Sequence, residues 1–179
     1  MKEYFEKTEL EGEQVILRSL RLQDKEAIFR NINHDREVLN YFIDTYAEKE
    51  EDFAFENMLE RFRKNQMYAF AVVLKESGEV IGEIFQCSRP SPIEHTVEIG
   101  YAIGRPYWNK GYTSEAMKMM IGFMFSNGIH KVVACHLEGN DASGRVMKKC
   151  GMSFEGIRKD AVYYRERYWD TYNYYILNQ

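Results

Sequence analysis

The stretch Trp108-Asn109-Lys110-Gly111-Tyr112-Thr113-Ser114-Glu115-Ala116 lies between two runs of different period. The run before it, Thr-Val-Glu-Ile-Gly-Tyr-Ala-Ile from Thr96 to Ile103, is strand-like, and residues 114–125 after it are helical. A loop that ends a strand and opens a helix leaves several backbone N–H groups without an intrahelical partner, and the helix dipole adds partial positive charge there. Main chain alone can hold a phosphate at such a place. Gly111 admits a positive φ, Asn109 tolerates the left-handed region, and Lys110 adds a mobile cation. Taken alone, the loop also fits an ordinary strand-to-helix connection. Its neighbours tip the balance.

The chain of 179 residues is long enough for one domain with a full core, and residues 1–179 are read as one. Its 45% hydrophobic and 29% charged residues are those of a globular protein. A net charge of −4 argues against a large nucleic-acid-binding surface. Cys87, Cys135 and Cys150 are odd in number and form no C-x-x-C pair, which disfavours a disulfide framework or structural zinc and fits a reducing cytoplasm. The four histidines show no metal-ligand spacing, and His130 and His136 are expected at a strand edge or in solvent. The first residues lack an apolar signal core, and no apolar run reaches the roughly 20 residues that span a bilayer.

Taken in order, residues 14–20 read as a first strand, and Asp24 as the N-cap of a helix carrying Ala27, Ile28 and Ile32. Residues 34–46 are irregular, and a second helix is expected over residues 47–64 with an acidic first turn. Residues 67–74 and 79–87 form a hairpin about Ser77-Gly78, followed by a proline-containing loop. After the strand, loop and helix already described come a short buried strand over residues 131–137 and a helix capped at Asn140 or Asp141 and ended by Gly151. Residues 153–177 read as a long hairpin bent at Arg165-Glu166-Arg167, and its many aromatics suit packing on a sheet. The order β-α-α-β-β-β-α-β-α-β-β predicts an α/β fold with a mixed sheet. No dinucleotide loop, P-loop or nucleophile elbow is present.

Three separated segments then coincide. Glu98-Ile99-Gly100-Tyr101, the loop from Trp108 to Ala116, and Asn140-x-x-Ser143-x-x-Val146 closing with Lys149-Cys150-Gly151-Met152 together resemble the GNAT N-acetyltransferase superfamily. The nearest look is to its ribosomal-protein alanine N-acetyltransferase (RimJ/RimL-type) branch, and Glu155-Gly156, residues 165–170 and Tyr174-Tyr175-Ile176-Leu177 share it. The resemblance implies a mostly antiparallel sheet of about seven strands, splayed in the middle and flanked by about four helices. It implies acetyl-coenzyme A (acetyl-CoA) as cofactor and a primary amine, on a protein N-terminus or a small molecule, as acceptor partner. The cofactor would lie between the strand of Glu98 and that of residues 131–137, with a β-bulge near Gly100 supplying the splay. Asn109 stands where the family's first loop glycine is usual, and Thr113 where a Gly or Ala is usual; both departures bear on cofactor geometry.

On that resemblance Glu98 is the candidate general base and Ser143 the candidate donor to the departing thiolate. A backbone N–H near Tyr101 or Ala102 would receive the developing oxyanion. The cofactor-binding set is Ile99, Tyr101, Ala102 and Ile103 on the strand; Asn109, Lys110, Gly111, Tyr112, Thr113 and Ser114 in the loop; and Asn140, Ser143 and Lys149 on the later helix, with no metal. The acceptor pocket would be framed by the first two helices and residues 34–46, with residues 89–94 and 165–167 on the other side, Asp35, Asp44 and Glu83 as cation partners and Tyr41, Phe42 and Tyr46 as walls. A non-catalytic module binding coenzyme A or a protein partner is the alternative. An RNA-associated protein is disfavoured by the acidic balance, and a homodimer stays open.

Overall fold

The computed structural model describes residues 8–43, 46–90 and 93–179. Period-two patterning produces eight strands: β1 (Glu9–Glu11), β2 (Val15–Ser19), β3 (Ala69–Leu74), β4 (Val80–Gln86), β5 (Thr96–Ile103), β6 (Lys131–Leu137), β7 (Ser153–Tyr164) and β8 (Arg167–Leu177). They form one sheet in the order β1-β2-β3-β4-β5-β6-β8-β7. Every neighbouring pair is antiparallel except β5 with β6. The eighth strand, beyond the seven expected, is β1, a three-residue edge strand paired with β2.

Four helices cover the sheet: α1 (Lys25–Ile28), α2 (Phe55–Asn65), α3 (Tyr112–Ser126) and α4 (Asp141–Lys149). Met117, Met120 and Met124 of α3 and Met147 of α4 share a core with Phe70, Ile84, Ile99 and Val132 of the strands. Ile28 of α1 and Phe55 and Leu59 of α2 pack with Ala71, Val73 and Ala102, whose side chains leave the opposite face. Helices thus cover both faces, α3 and α4 on one, α1 and α2 on the other.

Two helix boundaries differ from the sequence reading. The expected helix over residues 47–64 begins at Phe55, after a separate 3-10 turn at Glu50–Asp52. Phe53 and Phe55 are both buried, with rings 5.4 Å apart, and residues two apart cannot share a helix face, so the chain stays extended between them. The first helical segment starts with a 3-10 turn at Leu22–Asp24 and runs on as a π-turn over Phe29–Asn33. Asp24 accepts from the Arg21 amide at 2.8 Å and forms a bidentate pair with Arg18 at 2.7 and 2.8 Å. His136, expected at an edge, is buried between the rings of Tyr172 and Tyr174, its Nδ1 2.9 Å from the Leu137 carbonyl oxygen.

The decisive feature is where pairing stops. β5 and β6 are in register only at Thr96 with Lys131, Val97 with Val132, and Glu98 with Val133. β5 then stays on β4 from Ile99 to Ile103, while β6 stays on β8 along its whole length. The two central strands therefore part, each held by its outer neighbour. The expected bulge at Gly100 is absent: the β4–β5 register is unbroken, and the register shifts fall between β3 and β4 and between β7 and β8. Divergence comes instead from two twisted ribbons following their own partners.

Asp24 is 3% exposed and holds a guanidinium that is itself mostly covered. Replacing one partner of such a pair leaves a poorly solvated charge. Asp24→Ala is expected to cost about 3 kcal/mol, lowering Tm by roughly 6–12 °C in a calorimetric scan; a shift under about 2 °C would remove the pair from the folding argument.

Candidate active site

Antiparallel ladders alternate, so every second residue of β5 turns its peptide groups toward β4. Cys87 N–H donates to the Glu98 carbonyl at 2.8 Å and Gly104 N–H to the Ile81 carbonyl at 2.9 Å, which assigns Glu98, Gly100 and Ala102 to the β4 side. The peptide groups of Tyr101 consequently face the gap. The same reasoning on β6, from Asn178 N–H to His130 and Glu138 N–H to Asp170, turns those of Cys135 toward it. Of the two oxyanion donors expected from sequence, Tyr101 turns its amide to the gap, whereas the amide of Ala102 is used by β4. Ile99 sits where the β5–β6 ladder ends, with its side chain in the core, and the Ile103 carbonyl accepts from the Trp108 indole at 2.6 Å.

The loop after β5 takes the backbone its residues allow. Asn109 has φ 61° and Gly111 φ 91°, both left-handed, and Gly111 is the N-cap of α3 without a side-chain cap. Among the described residues no protein acceptor takes the amides of Tyr112, Thr113 or Ser114. The first-turn carboxylate of Glu115 is turned away, accepting from the amides of Gln14 at 2.8 Å and Val15 at 3.2 Å. Lys110 is exposed, with Nζ 5.8 Å from the centre of the Tyr107 ring. Cys150, at the end of α4, donates to the Ser114 carbonyl at 3.3 Å and tethers the two helices. Burial raises its thiol to about 11, opposed by the charges of Lys118 and Lys149. Lys118 was not singled out from sequence, where it reads as one more solvated helix lysine.

Asn140 caps α4, its Oδ1 accepting from the Ser143 amide at 3.3 Å. That places Ser143 one turn in, with Oγ 2.6 Å from the Tyr101 hydroxyl. Gly144 makes the approach feasible, since a β-carbon there would lie 2.8 Å from His136 Nε2 and 3.3 Å from the Tyr174 hydroxyl. Burial holds the Tyr101 hydroxyl well above the usual phenol range, against the opposing hydrogen bond with Ser143, so it remains a proton donor at neutral pH. The sequence pointed to the backbone of Tyr101; only the fold shows its side chain reaching α4.

Glu98 projects from the other face. Its Oε1 accepts from Cys135 Sγ at 3.4 Å, and the Cys135 thiol, raised to about 12 by burial and then by Glu98 itself, stays protonated. Glu98 also lines an open cleft of about 410 Å³ with residues of β6, β7 and β8. Glu98 and Ser143 thus stand at opposite mouths of one gap.

The residues expected around the acceptor divide. Phe42 lies edge-on to Phe85 at 6.1 Å and Tyr41 edge-on to Trp169 at 6.4 Å, both on the Glu98 side. Tyr46 instead stacks on His34 and under Arg36. Asp35 is engaged by Arg105 at 3.0 Å, and Glu83 is 1% exposed and closed to an incoming amine. Asp44 lies outside the described residues, as do residues 91 and 92 of the loop beyond Arg89; Arg89 itself binds the last carbonyls of α2. The turn at Arg165 docks on the other side, donating to Leu39 O at 3.3 Å and Asn40 Oδ1 at 3.1 Å.

Residues 14–153 match the family profile described as "Acetyltransferase (GNAT) domain". Over 166 residues the chain is 31% identical to the uncharacterized N-acetyltransferase YnaD of Bacillus subtilis, covering 92% of this chain and 94% of that one. The crystal structure of a GNAT-family acetyltransferase from Bacillus anthracis is similar with a TM-score of 0.82 at 30% identity, covering 95% of this chain and 98% of that one. A shorter likeness, 28% over 105 residues, spans 58% of this chain and 54% of the ribosomal protein uS5-alanine N-acetyltransferase of Escherichia coli. With the profile over most of its length, the parted central strands and these relatives, the chain belongs to the GNAT family and is an acetyltransferase.

Proposed function

We propose that the enzyme transfers an acetyl group from acetyl-CoA to a primary amine by direct attack in a ternary complex. The observation that carries this reading is the gap between β5 and β6, which opens directly beside the uncapped N-terminus of α3. The residues present fit the cofactor. The free amides of Tyr112, Thr113 and Ser114, with Lys110 nearby, suit a diphosphate. A β-carbon at Gly111 would meet nothing nearer than Gln14 Nε2 at 4.0 Å, so the approach is open. The Tyr101 carbonyl and the peptide groups of Cys135 would hold the amide-bearing arm as an added strand, and Lys118 and Lys149 would offer further cations. Acetyl-CoA would supply a thioester whose carbonyl is open to an amine and whose thiolate is a good leaving group.

The chain's own residues divide the remaining work. Glu98, at the far mouth, takes the proton that an incoming ammonium must lose before it can attack, directly or through water. The Tyr101 N–H, fixed in the β5 backbone, donates to the oxygen on which negative charge develops. Ser143 gives its proton toward the departing sulfur, and the Tyr101 hydroxyl holds Ser143 Oγ in position and donates to it as that proton leaves. Holding both partners in one gap supplies effective molarity. The acceptor is a protein N-terminal amine or a small amine; the partial likeness to the uS5-alanine enzyme supports a relation to the Rim-type branch.

Thiol release from acetyl-CoA, measured with a panel of amines and peptides, tests the whole reading: amine-dependent release is expected, and cofactor binding with no turnover on any member would leave a non-catalytic module. Glu98→Gln is expected to lower kcat by about 100-fold while cofactor affinity stays within a few-fold; unchanged kcat would take Glu98 out of the mechanism. Ser143→Ala should lose a comparable factor, and Tyr101→Phe, which removes one hydroxyl from an intact ring, roughly 10-fold in kcat with little change in KM. Equal losses in KM alone would make that pair a packing contact. Gly111→Val forces a branched residue into a left-handed backbone and should weaken cofactor binding about 10-fold or more by calorimetry; retained affinity would move the diphosphate elsewhere.

A further inference from the structure

The cleft in front of Glu98 carries a cation that makes no ion pair among the described residues. It is lined by Glu98 and Val133 on one wall and by Gly156, Arg158 and Asn173 on the other. Arg158 stands on β7 opposite Thr171, between two register shifts, one at Phe154/Gly156 and one at Arg158/Val162. Bulges on both sides re-aim a side chain that a regular strand would fix. Two carboxylates of the same hairpin are committed elsewhere. Glu155 pairs with Lys131, and Asp170 holds Lys159 at 2.6 Å and the Asp160 amide at 3.1 Å. Among the described residues, no hydrogen bond or ion pair holds the Arg158 guanidinium, and its positive field reaches the Cys135 thiol that Glu98 also touches.

One wall therefore offers a carboxylate and the other an unsatisfied planar fork of donors. A primary ammonium suits the first; a carboxylate or phosphate, bound bidentately, suits the second. A cleft of about 410 Å³ is of the size that encloses a small molecule. Resting on the acetyltransfer reading above, we propose that the acceptor is a small amine that also carries an anionic group, its nitrogen at Glu98 and its carboxylate or phosphate on Arg158. A neutral amine would leave the guanidinium without a counter-charge, and a diamine would set like charges against each other.

The test is a comparison of kcat/KM for three matched acceptors of each chain length: an amino-carboxylate, its amide and the corresponding diamine, with an aminoalkyl phosphate as a fourth arm. The amino-carboxylate or the phosphate is expected to exceed the amide by about 10-fold or more, and whichever of the two is higher identifies the anion. In Arg158→Gln the acid-to-amide ratio should fall toward one, in Arg158→Glu the diamine should become the best of the set, and Arg158→Lys should restore part of the ratio. An unchanged ratio in Arg158→Gln, or a wild-type enzyme indifferent to the anion, overturns the assignment. Because the readout is a ratio within one variant, general loss of activity cannot imitate it. Failure of every amine, anionic or not, would instead overturn the acetyltransfer reading and this assignment with it.

Discussion

A sheet normally closes its ladders, because a peptide group left facing no partner costs more than a typical hydrogen bond contributes. Here β5 and β6 stop pairing after Glu98 and Val133, although both strands continue. What keeps them apart is the rest of the sheet. β5 is bound along β4 and β6 along β8 without a break in register, so closing the gap would mean tearing one of those ladders. The interior edge that results is a template for a strand-like ligand, and it lies inside a rigid frame instead of on an exposed rim.

The helices on the α3 side prepare the chemistry of one mouth. Glu115 would weaken the positive end of α3 if its carboxylate faced the loop, but it is spent on the amides of Gln14 and Val15 at the turn between β1 and β2. The same contact pins the helix to the edge of the sheet, so one side chain both fixes the N-terminus of α3 and keeps it clear of negative charge. At α4 the absence of a side chain on Gly144 lets the helix sit against His136 and Tyr174, and that closeness brings Ser143 within 2.6 Å of Tyr101. A buried phenol with a high proton affinity is a poor acid in water, but as a fixed donor to a serine oxygen it needs only to stay protonated.

Main-chain chemistry was the most legible part of the sequence. Asn109 and Gly111 announce left-handed backbone by residue type, and both adopt it. The strand and helix order follows from periodicity, and the family motifs locate Asn140 at a cap that it fills. Elements set by long-range packing were less readable. The helix expected from residue 47 starts at Phe55 because two buried phenylalanines share an extended segment. The splay was foreseen, but its cause was put in a bulge at Gly100, since local sequence cannot show that the outer neighbours of two strands set their course. His136 looked like an edge residue because the tyrosines that bury it come some 36 residues later in the chain and meet it only through the β6–β8 register. The side chains of Tyr101 and Arg158 were unreadable as a site for the same reason: each acquires its role from an element distant in sequence.

The two mouths of the gap therefore differ in how tightly sequence binds function. On the proposed cofactor side the groups on offer are backbone amides and carbonyls, which tolerate Asn109 and Thr113 in place of smaller residues as long as the conformation holds. On the proposed acceptor side the chemistry is carried by side chains: Glu98 and Arg158 line the cleft, with the rings of Phe42, Tyr41 and Trp169 on the same face of the sheet. Arg158 and Trp169 belong to the β7–β8 hairpin, whose tip is a two-residue turn with Arg165 at φ 51° and Glu166 at φ 60°. Neither residue favours that backbone, and the hydrogen bonds of Arg165 to Leu39 and Asn40 help hold the turn in place. The hairpin and the segment around Leu39 thus close the acceptor side together, without touching the α3 amides. On the proposed reading, a substitution in β7 would redirect which amine is accepted while leaving the thioester grip intact, so the donor end of the reaction would be fixed far more firmly than the acceptor end.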